Sequence, residues 1–409
     1  MYWNNEVEVG SLLLPRINRI AILCLLVALI GNDALAIPQF SALTGNRCSN
    51  CHVNTSGGGI RNDLGWYSWY DVGIIPRDAA ALKWAYDADS SNQFFDGTLT
   101  LGMDLRAQSA RGFTEGSERK LFPMQASLYA AFTPVKAVAL EASFNLAALR
   151  KGPNTDVRVV YPGQRMGSFS AYYMPDQTLP SIRIGLFRPS VGMRYDDHTM
   201  APYSYTNANT RQTYLAPDWS EFGAELTYES IQWLTLQAGV FGSEGLSQIL
   251  LSDGVRSSSA ITGNAPTITS RAVFWPRFAN DIINTWIGGS YLLSNGYSMA
   301  SVFASVGWSD HVALMLDYTM TNKTGVISSR NFMAEISFQI FSPVLVYARY
   351  ERYFTVQVNV PGTFSANAGV LGAQVFVLPY VELRPEFRLW DTWREGTSNR
   401  WAVQLHIFY

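Results

Sequence analysis

The sequence predicts an all-β fold: a transmembrane antiparallel β-barrel of about sixteen strands, with a small segment ahead of it. Three observations carry this. Apolar and polar residues alternate at period two along segments of about ten residues, the length that crosses an outer membrane at a ~45° tilt. The links between segments alternate between short and long, as the turns and loops of bacterial barrels do. The chain also ends on a strand-like stretch, Trp401-Ala402-Val403-Gln404-Leu405-His406-Ile407-Phe408-Tyr409, whose odd positions form one apolar face closing on an aromatic.

Composition agrees. Charged residues are 15% of the chain, well below the roughly 25% of soluble domains. The formal net charge of −2 offers no basic field for a nucleic acid. After the first 36 residues no apolar run approaches the ~20 needed for a membrane helix. Such a composition fits either a β-rich soluble protein or a transmembrane β-barrel, and the C-terminal strand decides for the barrel.

The elements follow in order. Arg16 and Arg19 precede an apolar run at 20–30 and Ala34-Leu35-Ala36. This is an export signal over 1–36, with the mature chain beginning near Ile37. Cys24 falls inside its apolar region and leaves with it.

Next comes Cys48-Ser49-Asn50-Cys51-His52. Two cysteines one helical turn apart, followed directly by a histidine, have the spacing that attaches one covalent haem c, with His52 under the iron. A redox dithiol needs no histidine there. A structural zinc site needs four ligands, and there is no second cysteine pair. Ser56-Gly57-Gly58-Gly59 reads as a turn or close-approach loop, because no lysine follows to make a phosphate cradle. Trp66, Tyr67, Trp69 and Tyr70 could wall a haem or pack as a small core, and 79–86 reads as a short helix. A segment spanning 37–95 has difficulty supporting its own core. It is therefore expected to borrow the barrel lumen.

The barrel is expected over 96–409. Val381, Leu383, Phe387 and Leu389 alternate with Glu382, Arg384, Glu386 and Arg388. Val312, Leu314, Leu316 and Tyr318 alternate with His311, Ala313, Met315 and Asp317. Short links are expected at 133–137, 230–232, 309–310, 341–343 and 378–380. Long ones are expected at 109–121, 149–165, 189–217, 243–266 and 355–366. The link at 294–297 is short where a long one is due. Trp219, Trp233, Trp308, Trp390 and Trp401 fall at strand ends, where aromatic girdles form. Lumen-facing positions are expected to tolerate charge.

This layout resembles the fused monohaem cytochrome–porins of outer membranes, including those of iron-oxidising bacteria. The matching residues are Pro38, Phe40, Thr44, Gly45, Cys48, Cys51 and His52. Ser41-Ala42-Leu43 and the triple glycine depart from the family pattern. The resemblance implies an outer-membrane location, one haem c and passage of electrons. The donor it implies is extracellular, with Fe²⁺ the leading candidate, and the acceptor is a periplasmic c-type cytochrome or other carrier. The flow could also run outward to an external acceptor. Enzymatic activity would then be Fe²⁺ oxidation by electron transfer.

No Met or His lies between His52 and Met103, so the segment cannot give a standard sixth ligand. Parity turns His406 and His311 into the lumen near the mouth, with Met315 deeper and Met103 facing lipid. His406 and His311 are the candidate ligands, although each also reads as a lumen polar residue. His198, after Asp196-Asp197, reads as part of a solvated loop. Two other functions compete with the conduit. One is a porin-like solute channel with a haem-bearing plug. The other is a haem enzyme such as a peroxidase, for which no distal His–Arg pair is found near the motif.

Overall fold

The computed structural model describes residues 38–409 except 56, 80–81, 83–90, 112–118, 147–165, 177, 194–218, 248–264, 280–281, 324, 326, 358–362 and 393–395. The export signal, most of the helix expected at 79–86, and His198 lie outside the described residues.

Sixteen antiparallel strands close into a barrel. They are β1 (Leu99–Arg111), β2 (Arg119–Val135), β3 (Val138–Asn145), β4 (Gly167–Tyr173), β5 (Ser181–Phe187), β6 (Glu221–Tyr228), β7 (Leu234–Phe241) and β8 (Thr267–Phe274) in the first half. The second half is β9 (Ile283–Ser294), β10 (Tyr297–Trp308), β11 (Val312–Lys323), β12 (Ile327–Phe341), β13 (Val344–Gln357), β14 (Thr363–Leu378), β15 (Val381–Thr392) and β16 (Gly396–Phe408). The last strand pairs with the first, with Leu405 opposite Ala107 and His406 opposite Arg106. Closure leaves no unpaired edge among backbone groups that lipid could not satisfy.

Period-two patterning determines which side of each strand meets lipid. On β11, Ala313, Met315, Asp317, Thr319 and Thr321 are buried inside, while Leu314, Leu316, Tyr318 and Met320 are exposed outside. On β15, Glu382, Arg384, Glu386 and Arg388 point inward and Leu389 outward. A closed sixteen-strand barrel with an apolar outer wall is the architecture of the bacterial outer membrane. The chain is a protein of that membrane.

Both ends of the barrel lie on the side of the short turns, which in outer-membrane barrels is periplasmic. The short link between β9 and β10 has a local cause. Asn295 and Gly296 have φ of 44° and 74°, the two left-handed residues of a tight hairpin turn whose twist matches the strands.

The aromatic girdle needs a correction. Trp233, Trp308 and Trp401 do face outward, but Trp219 and Trp390 are buried inside. Lumen groups hold both of them. The Trp219 Nε1–H donates to Glu221 Oε1 at 3.0 Å, and Trp390 stacks on Tyr353 with ring centroids 5.9 Å apart.

Lumen-facing side chains are buried among the described residues. Residues 188–193, which begin the link after β5, turn into the lumen. Ser190 bonds Glu225 through both its backbone N–H and its hydroxyl, at 3.0 and 2.9 Å. Gly192 N–H donates to Ser290 Oγ at 2.8 Å, and Arg271 Nε–H donates to the Gly192 carbonyl at 3.0 Å. Deeper charges are paired, as buried ions must be. Arg183 meets Glu141 at 2.8 Å, and Arg349 meets Glu335 at 3.3 Å and Glu351 at 2.6 Å.

Candidate functional site

The segment ahead of the barrel lies across the short-turn mouth. Its first helix, α1 (Pro38–Thr44), buries Phe40, Ala42 and Leu43 against the inner wall. The fit is close. A side-chain carbon added at Gly307 of β10 would lie 1.9 Å from the Ala42 carbonyl oxygen, so only glycine lets the helix seat there. Polar contacts fix its position. Asn284 Nδ2 donates to the Leu43 carbonyl at 2.8 Å, and Gln39 Nε2 donates to Gln374 Oε1 at 3.0 Å. Gly45, with φ of 68°, ends the helix. The Arg47 guanidinium then donates to the carbonyls of Glu229 and Ile231 at 3.1 and 2.9 Å. These contacts hold both flanks of the cysteine motif to the barrel.

That motif forms a one-turn helix, α2 (Cys48–Cys51), and the His52 N–H closes it onto the Cys48 carbonyl at 3.0 Å. His52 then bridges to Arg61 as an antiparallel pair. Gly57, Gly58 and Gly59, all with φ between 71° and 81°, turn the chain between them. A side chain at Gly57 would press on Cys48, 3.1 Å from its Cβ and 3.3 Å from its Sγ. The close-approach reading of the triple glycine is thus seen in the backbone.

The next helix, α3 (Asp63–Tyr67), is N-capped by the Asn62 side chain, which accepts the Gly65 N–H at 3.0 Å. Gly65 lies against the Cys51 carbonyl, 2.0 Å from where a Cβ would be. Beyond it Trp66 stacks on Tyr380 with centroids 5.3 Å apart, and Trp69 packs on Phe376 at 4.4 Å and Phe408 at 5.2 Å. Phe40 joins the same cluster. Fully burying each such side chain contributes roughly 1.5–3 kcal/mol. Seven of the cluster's thirteen buried members come from the barrel. The segment completes its core with the lumen wall.

Neither thiol is in a disulfide; Cys51 is buried and Cys48 half-buried. Burial, and then the neighbouring Cys48, push the Cys51 thiol up to about 11 despite the opposing influence of Arg61. A redox dithiol depends on a thiolate at neutral pH, which this environment disfavours. Among the described residues no three His, Cys, Asp or Glu side chains gather as a metal-ion site. The zinc reading therefore lacks its further ligands. Two thiols and an adjacent imidazole on one turn, hemmed by Gly57 and Gly65, fit the donor set of a covalent haem.

His406 sits at the same mouth, in a cluster that sequence reasoning did not assemble. Its Nδ1 is 3.0 Å from Glu382 Oε2, and its Nε2 is 3.0 Å from Asp104 Oδ1. Arg384 Nε–H donates to Glu382 at 3.0 Å. Arg61 reaches in from the segment, 3.7 Å from Asp104, with its guanidinium 4.3 Å above the Phe408 ring. Arg61, the ladder partner of His52, thus links the motif through Asp104 to the histidine of the last strand. For His406 to reach an iron, it would have to release one of its carboxylates. His311 stands at the turn after β10, where its Nδ1 meets the Ser309 carbonyl. Met315 is packed among Trp286, Phe303 and Met333, and Met103 is half-exposed on the outer side. Asp104, Glu382 and Arg61 had no local signature. Only barrel closure and the return of the segment bring them together.

No family model matches the chain, and no curated protein matches its sequence. Solved structures do match in fold. OprB of Pseudomonas putida, in its high-pH structure, superposes at a TM-score of 0.53 with 11% identity, covering 83% of this chain and 99% of the other. OmpF of Salmonella typhi, in complex with daunomycin, gives 0.52 with 14% identity, over 78% and 100%. The outer membrane channel DcaP of Acinetobacter baumannii gives 0.51 with 10% identity, over 76% and 97%. At these identities the likeness shows the fold, an outer-membrane porin barrel.

Proposed function

We propose that this chain is a porin-type outer-membrane barrel whose periplasmic mouth is stoppered by a segment carrying one haem c. The observation that carries the reading is the seating of Cys48–His52 at the mouth, between α1 and α3, whose Phe40, Leu43 and Trp66 share a core with the barrel. Cys48 and Cys51 would hold the group through thioethers, and His52 through its imidazole. Likeness to channels supports solute passage as the barrel's task. With the mouth stoppered and the lumen walls buried, passage then requires the segment to move.

A second reading has its own support in the motif itself. A bound haem supplies one-electron chemistry at its iron. On this reading the chain links an extracellular donor, with Fe²⁺ as the candidate, to a periplasmic c-type cytochrome. This is the task of the cytochrome–porin family that residues 38–52 resemble. The chain's part is to anchor the two thiols and His52, exclude water with the Trp66 and Trp69 cluster, and set the charge around the site through Arg61 and Asp104. His406 and His311 stay as candidate sixth ligands, His406 at the cost of a carboxylate contact.

One pair of measurements on purified holoprotein separates the readings. Substantial conductance in planar bilayers, unchanged after haem removal, with no haem reduction by Fe²⁺ in stopped flow, supports the channel. Low conductance with rapid Fe²⁺ reduction supports the conduit.

A further inference from the structure

The periplasmic side of the segment carries a surface that neither its core nor the barrel uses. Leu64, Tyr67, Ile74 and Ile75 are 52%, 50%, 51% and 43% exposed. Leu64 and Tyr67 belong to α3, whose Gly65 rests on the Cys51 backbone, so this surface adjoins the cysteine motif. Ile74 and Ile75 are held at the rim, their N–H groups donating to the Phe376 and Val377 carbonyls at 2.8 and 3.1 Å. Tyr70 lies between the two pairs, 5.7 Å from the Tyr67 ring. The patch is built on fixed backbone, and it leaves large apolar side chains in water.

Among the described residues of the segment, carboxylates outnumber cations around it. Asp63, Asp71 and Asp78 are exposed. Two of the segment's described arginines are directed elsewhere, Arg47 to the carbonyls of Glu229 and Ile231 and Arg61 to Asp104 and Phe408, while Arg77 lies over the Tyr70 ring at 3.3 Å as one cation against the three carboxylates. We infer that this face docks a soluble redox protein whose own cofactor edge lies in an apolar patch ringed by lysines. The inference rests on the electron-carrying reading above.

Charge complementarity selects this occupant over two others. Apolar side chains at a membrane rim would also suit lipid, but three carboxylates repel anionic headgroups. A second copy of the chain would bring like charges together, which costs several kcal/mol. A basic partner is steered in by the same field. An apolar centre with a charged rim, on a segment of this size, fits the small interfaces of transient redox encounters.

The test uses full-length holoprotein in nanodiscs. The probe is a small lysine-rimmed c-type cytochrome, together with its succinylated form, in which the lysines have become acidic. Stopped-flow electron transfer is followed at low and high salt. The expected result is a fast reaction with the basic probe that slows as salt rises. The triple variant Asp63→Lys/Asp71→Lys/Asp78→Lys should lose about tenfold or more with that probe and gain with the succinylated one. Leu64→Ser should slow both. Haem spectra and reduction by dithionite should match wild type in every variant, which shows that the segment is intact. Equal rates in wild type and the triple variant overturn the docking face. So does a triple variant that changes only vesicle binding or self-association. Those outcomes leave haem attachment and electron transfer standing. A protein that carries no covalent haem overturns the conduit reading, and the docking face with it.

Discussion

At Cys51 the chemistry of the motif can be read one atom at a time. The thiol is buried, and its ionisation is pushed up to about 11 by that burial and by Cys48. A thiol in such a place is a poor redox nucleophile. Covalent haem should survive denaturation, giving a haem-stained band heavier by one haem, and Cys51→Ala should reduce or abolish holoprotein. A haem-free native protein would end this reading. His406 invites a different expectation. Its two nitrogens each meet a carboxylate, so His406→Ala should leave buried acceptors unsatisfied, at about 1–3 kcal/mol, and loosen the mouth. Measuring ligand-field spectra of His406→Ala and His311→Ala beside wild type tests axial ligation directly. A spectrum changed by one substitution alone assigns that histidine to the iron. If both spectra are unchanged, the sixth ligand lies elsewhere.

Among the elements, α1 is the one most tightly specified by its seat. Gly307→Val would drive a side chain into the Ala42 carbonyl without touching the outer wall. The barrel should still assemble, by heat-modified mobility on gels, while protease access to residues 38–95 and bilayer conductance both rise. Unchanged protection would show that α1 is not what holds the stopper. Outside, Val302 of β10 is 62% exposed near mid-strand. Val302→Arg should cost roughly 2–4 kcal/mol if it sits at the bilayer midplane, measurable by urea unfolding in lipid. The expectation that lumen positions tolerate charge is revised at Met315, because that side chain is packed among Trp286, Phe303 and Met333. Met315→Lys should impair folding about as much as Val302→Arg, since it forces an ammonium into that apolar cluster.

For the molecule as a whole, stopper and barrel act as one packed body. The aromatic cluster of Trp66, Trp69, Tyr380, Phe376 and Phe408 joins them, so loss of that cluster should affect both. Trp69→Ala should cost about 3–5 kcal/mol. The loss should appear as release of the segment from the mouth before the barrel melts, followed by near-ultraviolet circular dichroism against far-ultraviolet signal. Coincident loss of both signals would mean that the barrel depends on its stopper.

The sequence alone was enough for the sixteen strands, their inward and outward faces and the haem-type motif. Each of these is written in local spacing: period two for a pleated strand, one helical turn between Cys48 and Cys51, an adjacent His52. The same parity rule placed His406 and Met315 inside. What failed was the girdle reading of Trp219 and Trp390, which rested on nearness to a strand end; that position does not say which face a tryptophan takes, whereas parity with Arg388 turns Trp390 inward. The mouth itself was decided by the tertiary structure. Arg61 meets Asp104, Asp104 meets His406, and Trp69 meets Phe376, across separations of 43, 302 and 307 residues. No local pattern encodes such pairs. They exist because closing the barrel sets β16 beside β1, and because a segment too short to bury its own core must complete it against the barrel's inner wall.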